Sequence, residues 1–213
     1  CALPISAALH VTYQTGHLAL HRRAAIRPGE TLLVHAGAGG VGSAAIQLGL
    51  AAGARVLATA GGPEKVAMLR DLGVEVAIDY RAEDFVEVVK AATGGAGADV
   101  IFDPVGGDTF DRSRKCIAFE GRLLVIGFTS GRIPEAPANH ALVKNYSVVG
   151  VHWGLYNTKQ PERIREIHGD LVDLHARGAI RPLVHEVITL DEVPAALTRL
   201  ASRGTTGKVV WAR

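Results

Sequence analysis

Residues 32–49, LLVHAGAGGVGSAAIQLG, decide the fold. An apolar run is followed by Gly37, Gly39, Gly40 and Gly42, and then by a helix-like run. Residues 37–42 fit G-x-G-x-x-G. That pattern alone is weak. Placed after a strand and at the opening of a helix, it is specific for a βαβ unit that binds a dinucleotide. In that reading Gly37 permits the tight turn, Gly39 lets the backbone approach a pyrophosphate, and Gly42 lets helix and strand pack closely. The helix N-terminus offers unpaired N–H groups and the positive end of its dipole to the phosphates. The bland alternative is a flexible turn. Four glycines would be an entropically costly way to make one.

Working outward, apolar runs at 31–36, 55–60, 76–79, 100–103, 123–126 and 147–151 read as strands. Segments 40–52, 63–72, 82–92 and 109–118 read as helices between them. Val41, Ala44, Ala45, Leu48 and Ala52 mark one side of the first helix, and Pro63 suits a first helical turn. Strands that are apolar on both faces and separated by helices imply a parallel sheet covered on both sides. Right-handed crossovers then give a doubly wound α/β domain, Rossmann-like in plan. After Val151 the pattern changes. A helix over 162–177 ends at Gly178, and a strand at 184–188, a helix over 191–202 and a strand at 208–212 follow. Those last two strands need not join the parallel sheet.

Composition narrows the function. The 213 residues are 48% hydrophobic, enough for one well-buried core or a domain plus part of another. The 23 basic and 21 acidic residues are interspersed, with net charge +2. Without a dense basic patch, neither nucleic acid nor an anionic membrane surface is indicated as a partner. Cys1 and Cys116 stand in unrelated contexts, so no disulfide framework is expected and a reducing cytoplasm is the expected location. No apolar run approaches the ~20 residues needed to span a bilayer. CALPISAAL at the start lacks a basic n-region and is not read as a signal peptide. The chain begins with Cys and is read as a piece of a longer protein.

The second strand bears on which dinucleotide is bound. An NAD site usually ends that strand with Asp or Glu, which holds the ribose 2′-hydroxyl. Here the end reads Ala60-Gly61-Gly62-Pro63, then Glu64 and Lys65. A missing anion beside a cation favours a 2′-phosphate, hence NADPH. The alternative makes Lys65 an ordinary exposed residue, although a cation in a first helical turn gains nothing from the dipole.

Several ordered segments, RPGETLLVHAGAGGVGSAAIQLG, GADVIFDPVGGDTF, GRLLVIGFTSG, LVKNYSVVGV and TTGKVVW, resemble successive motifs of the zinc-independent quinone oxidoreductases of the medium-chain dehydrogenase/reductase superfamily. The resemblance runs from about Ala7 to Arg213. It implies that Gly39, Gly40 and Val41 form the backbone cradle of the pyrophosphate. It implies that Lys65, Tyr80 and Arg203 contact the 2′-phosphate, and that Gly127, Phe128 and Ser130 lie along the nicotinamide half. Lys and Arg supply charge-assisted donors and a phenol supplies another. Without the resemblance, Tyr80 reads as a loop anchor and Arg203 as a solvated helix end.

In zinc-dependent relatives a cysteine ligand stands where this chain has Val11, which cannot bind a metal. There is no H-E-x-x-H or paired C-x-x-C, so no metal is expected. The nine histidines are scattered and read mostly as surface or cap residues, with His35 at the end of the first strand. Cys116 reads as mid-helix packing. Two departures stand out: CALPIS matches no motif of the family, and His10 stands where relatives often have Pro.

The family also begins with a GroES-like catalytic domain. Residues 1–159 are then the dinucleotide-binding domain with its leading helix, and 160–213 return to the catalytic domain. The implied reaction is metal-free hydride transfer from NADPH to a quinone or an α,β-unsaturated carbonyl. The alternatives are an enoyl-thioester reductase and, in another class, a non-catalytic NADPH-binding or structural protein. No catalytic residue is assigned. With one wall of the acceptor cleft in another domain, this chain alone is expected to bind NADPH without turning over an acceptor. The edge strand, Ser147 to Val151, is expected to pair with its two-fold mate in a homodimer.

Overall fold

The computed structural model describes residues 3–212; Cys1, Ala2 and Arg213 lie outside the described residues. Helix α1 (Leu3–His17) runs into a π-helical turn, Leu18–Arg23, and leads into β1 (Thr31–Val34). Then come α2 (Gly40–Ala51), β2 (Arg55–Ala60), α3 (Pro63–Asp71), β3 (Val76–Asp79), α4 (Phe85–Ala92), β4 (Ala98–Asp103), α5 (Gly107–Ser113) and β5 (Ile117–Val125). The chain continues through α6 (Ala138–Lys144), β6 (Ser147–Gly150), α7 (Trp153–Lys159) and α8 (Pro161–Ala176). It ends with β7 (Val184–Ile188), α9 (Val193–Ala201) and β8 (Lys208–Trp211). No helix among the described residues is long and apolar enough to cross a membrane.

Six strands form one parallel sheet in the order β3-β2-β1-β4-β5-β6, the doubly wound arrangement expected. Alternation along each strand makes two cores. Leu32, Val34, Val56, Ala58, Val100, Phe102 and Leu124 point to one face, toward α2 and α3. Leu33, Leu57, Ile101 and Leu123 point to the other, toward Phe85, Val89 and Phe110. The first core also takes in Ile167 and Leu171 of α8 and Ile180 beyond it. Strands β7 and β8 pair with each other, in parallel, apart from the main sheet.

Three local readings are corrected. Helix α2 is buried along most of its length, Gly42 to Gly49 included, rather than on one side; its small residues let it lie between the sheet and α1. The segment expected as helix to 118 stops at Ser113, and Ile117 already belongs to β5. Cys116 therefore sits in the turn before β5, not mid-helix. It is buried, and burial pushes its thiol up to about 12, so it packs rather than reacts.

Candidate dinucleotide-binding site

The strand order reverses between β1 and β4, and the crevice beyond their C-terminal ends is where such sheets bind ligands. After β1 the chain turns through Ala36 at φ +51°. The left-handed residue of the turn is thus Ala36, and the expected reason for Gly37 is corrected. A Cβ on Gly37 would lie 2.9 Å from Leu69 Cδ2 and 3.1 Å from Ala58 Cβ. Its small size serves packing beneath the loop. Gly42 does what its spacing predicted, because a Cβ there would lie 2.3 Å from the Ala36 carbonyl oxygen. Gly39 differs from both: a Cβ would meet only that oxygen, at 3.4 Å. Gly39 is the N-cap of α2, and no side chain caps the helix. The N–H groups of Gly40, Val41 and Gly42 precede the first helical bond, from Ser43 to the Gly39 carbonyl, and have no intrahelical acceptor.

The distant end of the chain closes on this loop. Gly207 donates its N–H to the Ala38 carbonyl at 2.8 Å and forms a parallel bridge with Gly39. The stem of Lys208 lies against Gly40, with Cδ 2.5 Å from where a Cβ would be. Among the described residues the Lys208 ammonium has no ion-pair partner. Sequence reading missed Lys208, since its approach depends on the path of β8.

At the end of β2, Gly61 and Gly62 precede α3, which carries Lys65 in its first turn. The Lys65 ammonium donates to the Arg203 carbonyl at 2.6 Å. Two of the three expected 2′-phosphate residues therefore meet, through the Arg203 backbone rather than its guanidinium. Arg203 holds φ +60° where α9 ends, a conformation that disfavours side chains and that functional sites often retain. The third, Tyr80, is 41% exposed, and its hydroxyl lies 2.7 Å from where a Cβ on Gly61 would be. Asp79 Oδ1 accepts the N–H of Gly62 and of Arg81, each at 3.0 Å. Those bonds hold its carboxyl below the ordinary range.

Gly127 and Phe128, expected along the nicotinamide half, line a cavity of about 620 Å³ with Val125, Leu155, Tyr156 and Arg23. The Arg23 guanidinium, at the end of the π-helical turn, donates to the Gly150 carbonyl at 3.2 Å. Ser130 does not line this cavity. Its hydroxyl oxygen accepts the Arg132 N–H at 3.3 Å. Asp103, at the end of β4, is 1% exposed and holds the next loop by accepting the N–H groups of Val105 and Gly106.

Behind the glycine loop lies His35, buried rather than at the surface. Its Nε2 is 2.9 Å from the Ser113 hydroxyl, and its Nδ1 is 3.1 Å from that of Thr59. Ser113 gives its own proton to the Thr109 carbonyl, so Nε2 must be the donor to Ser113 and Nδ1 accepts from Thr59. Burial, helped by the charge of Arg112, lowers the imidazole to about 3. It is a neutral tie between β1, β2 and α5. Among the described residues no three His, Cys, Asp or Glu side chains converge as a metal site.

The chain matches the family described as zinc-binding dehydrogenase over residues 40–169. It is 39% identical over 207 residues to a quinone oxidoreductase-like protein 2 homolog of Nematostella vectensis, covering 96% of this chain and 56% of that protein. The curated quinone oxidoreductase-like relatives are spanned over only 56% to 60% of their length. A mycobacterial protein solved in complex with NADPH is 30% identical, with TM-score 0.93, over 100% of this chain and 66% of that one. CurK enoyl reductase is also 30% identical, with TM-score 0.88, over 100% of this chain and 63% of that one. A family match across more than half of the chain, on a doubly wound sheet with its glycine loop in place, makes this chain a member of the zinc-binding dehydrogenase family, on the quinone oxidoreductase side of the medium-chain dehydrogenase/reductase superfamily.

Proposed function

We propose that this chain is the cofactor-binding part of an NADPH-dependent oxidoreductase that delivers hydride, without a metal, to a quinone or an α,β-unsaturated carbonyl. The observation that carries the reading is the Gly61-Gly62 turn. Lys65 and Tyr80 stand beside it, with Arg203 joined to Lys65. The carboxylate beside the turn, Asp79, stands on β3 and not at the end of β2, and its Oδ1 ties the Gly62 and Arg81 backbone. Bound NADPH supplies the hydride from its nicotinamide. The first turn of α2 holds the pyrophosphate, and Lys65, Tyr80 and Arg203 hold the 2′-phosphate. The apolar residues from Val125 to Phe128 and Leu155 form one wall of the space beside the ring.

Fluorescence titration with both nucleotides tests this. Charge-assisted hydrogen bonds contribute ~1.5–3 kcal/mol each, and ~1.4 kcal/mol is tenfold in affinity. Two of them favour NADPH over NADH by roughly a hundredfold or more. Lys65→Ala should weaken NADPH at least about tenfold and leave NADH unchanged. Equal affinities in the parent chain would sink the reading.

The likeness to an enoyl reductase favours one second reading, reduction of enoyl thioesters. NADPH oxidation by the full-length protein, against panels of quinones and enoyl thioesters, separates the two. Turnover of neither points to a binding role.

The same reading includes a homodimer. Strand β6 is an open edge with Val148 37% exposed, and Phe119, Leu142 and Val143 are exposed apolar residues. Such an edge invites a strand from a second copy. Sedimentation at micromolar concentration should give a dimer, and Val148→Lys a folded monomer. A parent chain that sediments as a monomer would count against it.

A further inference from the structure

We infer that Arg81 is a further determinant of NADPH specificity, a fourth donor to the 2′-phosphate, and that Gly61 lacks a side chain to make room for it. The inference rests on the cofactor reading above. Arg81 follows Tyr80 in the loop after β3, and from sequence it is one more exposed arginine.

The structure folds it back. Its Nε lies 2.9 Å from where a Cβ on Gly61 would sit, and its Nη1 lies 3.5 Å from that position on Gly62. The guanidinium therefore covers the two glycines at the end of β2, beside the Tyr80 hydroxyl. Asp79 fixes this course by accepting the N–H of Gly62 and the N–H of Arg81 on one oxygen.

The donors of Arg81 are unspent. Among the described residues it has no ion pair. Nearby Glu83 turns its carboxylate to the Asp79 N–H at 3.0 Å, and Asp79 feels the charge of Arg81 without an ion-pair contact to it. Lys65, by contrast, gives a donor to the Arg203 carbonyl, and Tyr80 offers a single phenol O–H. Arg81 adds what neither provides: a planar fork of N–H groups matched to two phosphate oxygens. A side chain at Gly61 would strike both the Tyr80 hydroxyl and this fork.

The test titrates NADPH and NADH into the parent chain, Arg81→Gln, Arg81→Lys and Lys65→Ala, with thermal melting to check the fold. Arg81→Gln should weaken NADPH about tenfold to a hundredfold, leave NADH unchanged and melt with the parent. Arg81→Lys should recover part of the loss, since it keeps the charge without the fork. An unchanged NADPH-to-NADH ratio in Arg81→Gln, with a reduced ratio in Lys65→Ala, overturns the inference and leaves the cofactor reading standing. Equal weakening of both nucleotides makes Arg81 a packing residue and also overturns it. No NADPH preference in the parent chain overturns both.

Discussion

Gly42→Ala should collapse the nucleotide-binding unit, whereas Gly39→Ala should keep the fold and lose the cofactor. The two glycines are three residues apart in one motif, but they face different neighbours. A methyl group on Gly42 would sit 2.3 Å from the Ala36 carbonyl oxygen and 2.8 Å from the Gly37 Cα. Both are backbone atoms, and Ala36 is already in the left-handed region. The loop can yield only by moving α2 off the end of β1, which opens the core that Ala45, Ile46 and Leu48 fill. Overpacking a well-packed site costs ~1–3 kcal/mol and sometimes more. A backbone collision belongs at or above the top of that range. On Gly39 the same methyl meets one atom at 3.4 Å, an ordinary contact. Its free side faces the space at the start of α2, where the proposed function has the backbone approach the pyrophosphate. Urea unfolding should show a loss of ~3 kcal/mol or more for Gly42→Ala and less than ~1 kcal/mol for Gly39→Ala. NADPH titration should show binding lost in both. A stable Gly42→Ala that still binds would refute this division of labour.

The strand plan was legible because both faces of the central strands are apolar. Leu32-Leu33-Val34 and Val100-Ile101-Phe102 leave no polar face to confuse with a surface helix. Parts without that signal were not legible. No residue of α6 or α7 is buried, so neither helix has a stripe to read. The start of β5 falls inside the segment 109–118 that reads as helix, because no Gly or Pro separates α5 from Ile117 and Ala118; a left-handed Glu120 then turns the strand in a way no periodicity reveals.

The site divides along the same line. The glycine spacing was readable because it is local. Lys65 and Arg203 were paired only through the family resemblance, and the structure brings them together by the Arg203 carbonyl. Lys208 and Arg81 depend on where β8 and the loop after β3 travel. Their trace in the sequence is the glycine each one covers, Gly40 and Gly61, and a glycine does not say what lies over it. His35 was legible as a strand end, but not as a buried tie, since Thr59 and Ser113 come from two other elements.

That tie sets up the largest effect of pH. Burial lowers His35 to about 3 and His17 to about 4, below the ordinary ~6.5 that both take when unfolded. At His17 the neighbouring His21 lowers the ring further, and Asp170 works in the opposite direction. A base with a depressed folded pKa leaves the unfolded chain holding more protons between the two values, so stability falls as the pH falls. The loss begins near 6.5 and continues to about 4 for His17 and about 3 for His35. At pH 5 each has lost the equivalent of ~1.5 pH units, or ~2 kcal/mol. The His17 side chain is only 14% exposed, so screening removes little of it. Together they cost ~4 kcal/mol, a large share of the ~5–15 kcal/mol typical of a folded domain. His21 and His140 are also lowered and act in the same direction. Asp103 is raised by burial and opposes them, because its folded form takes up the proton first. The lowered carboxylates, Asp79 and Asp84 among them, act mainly below pH 5. The histidines therefore dominate the window from 7.5 to 5, with Asp103 opposing them in part. Urea midpoints across it should fall steeply in the parent chain. His35→Gln, which keeps a donor and an acceptor but cannot titrate, should lose a large part of that slope whatever its own stability, and His17→Gln a comparable part, with the remainder left to His21 and His140. A parent chain equally stable at both pH values would show that the two rings are not buried neutral. An undiminished slope in both variants would assign the protons elsewhere.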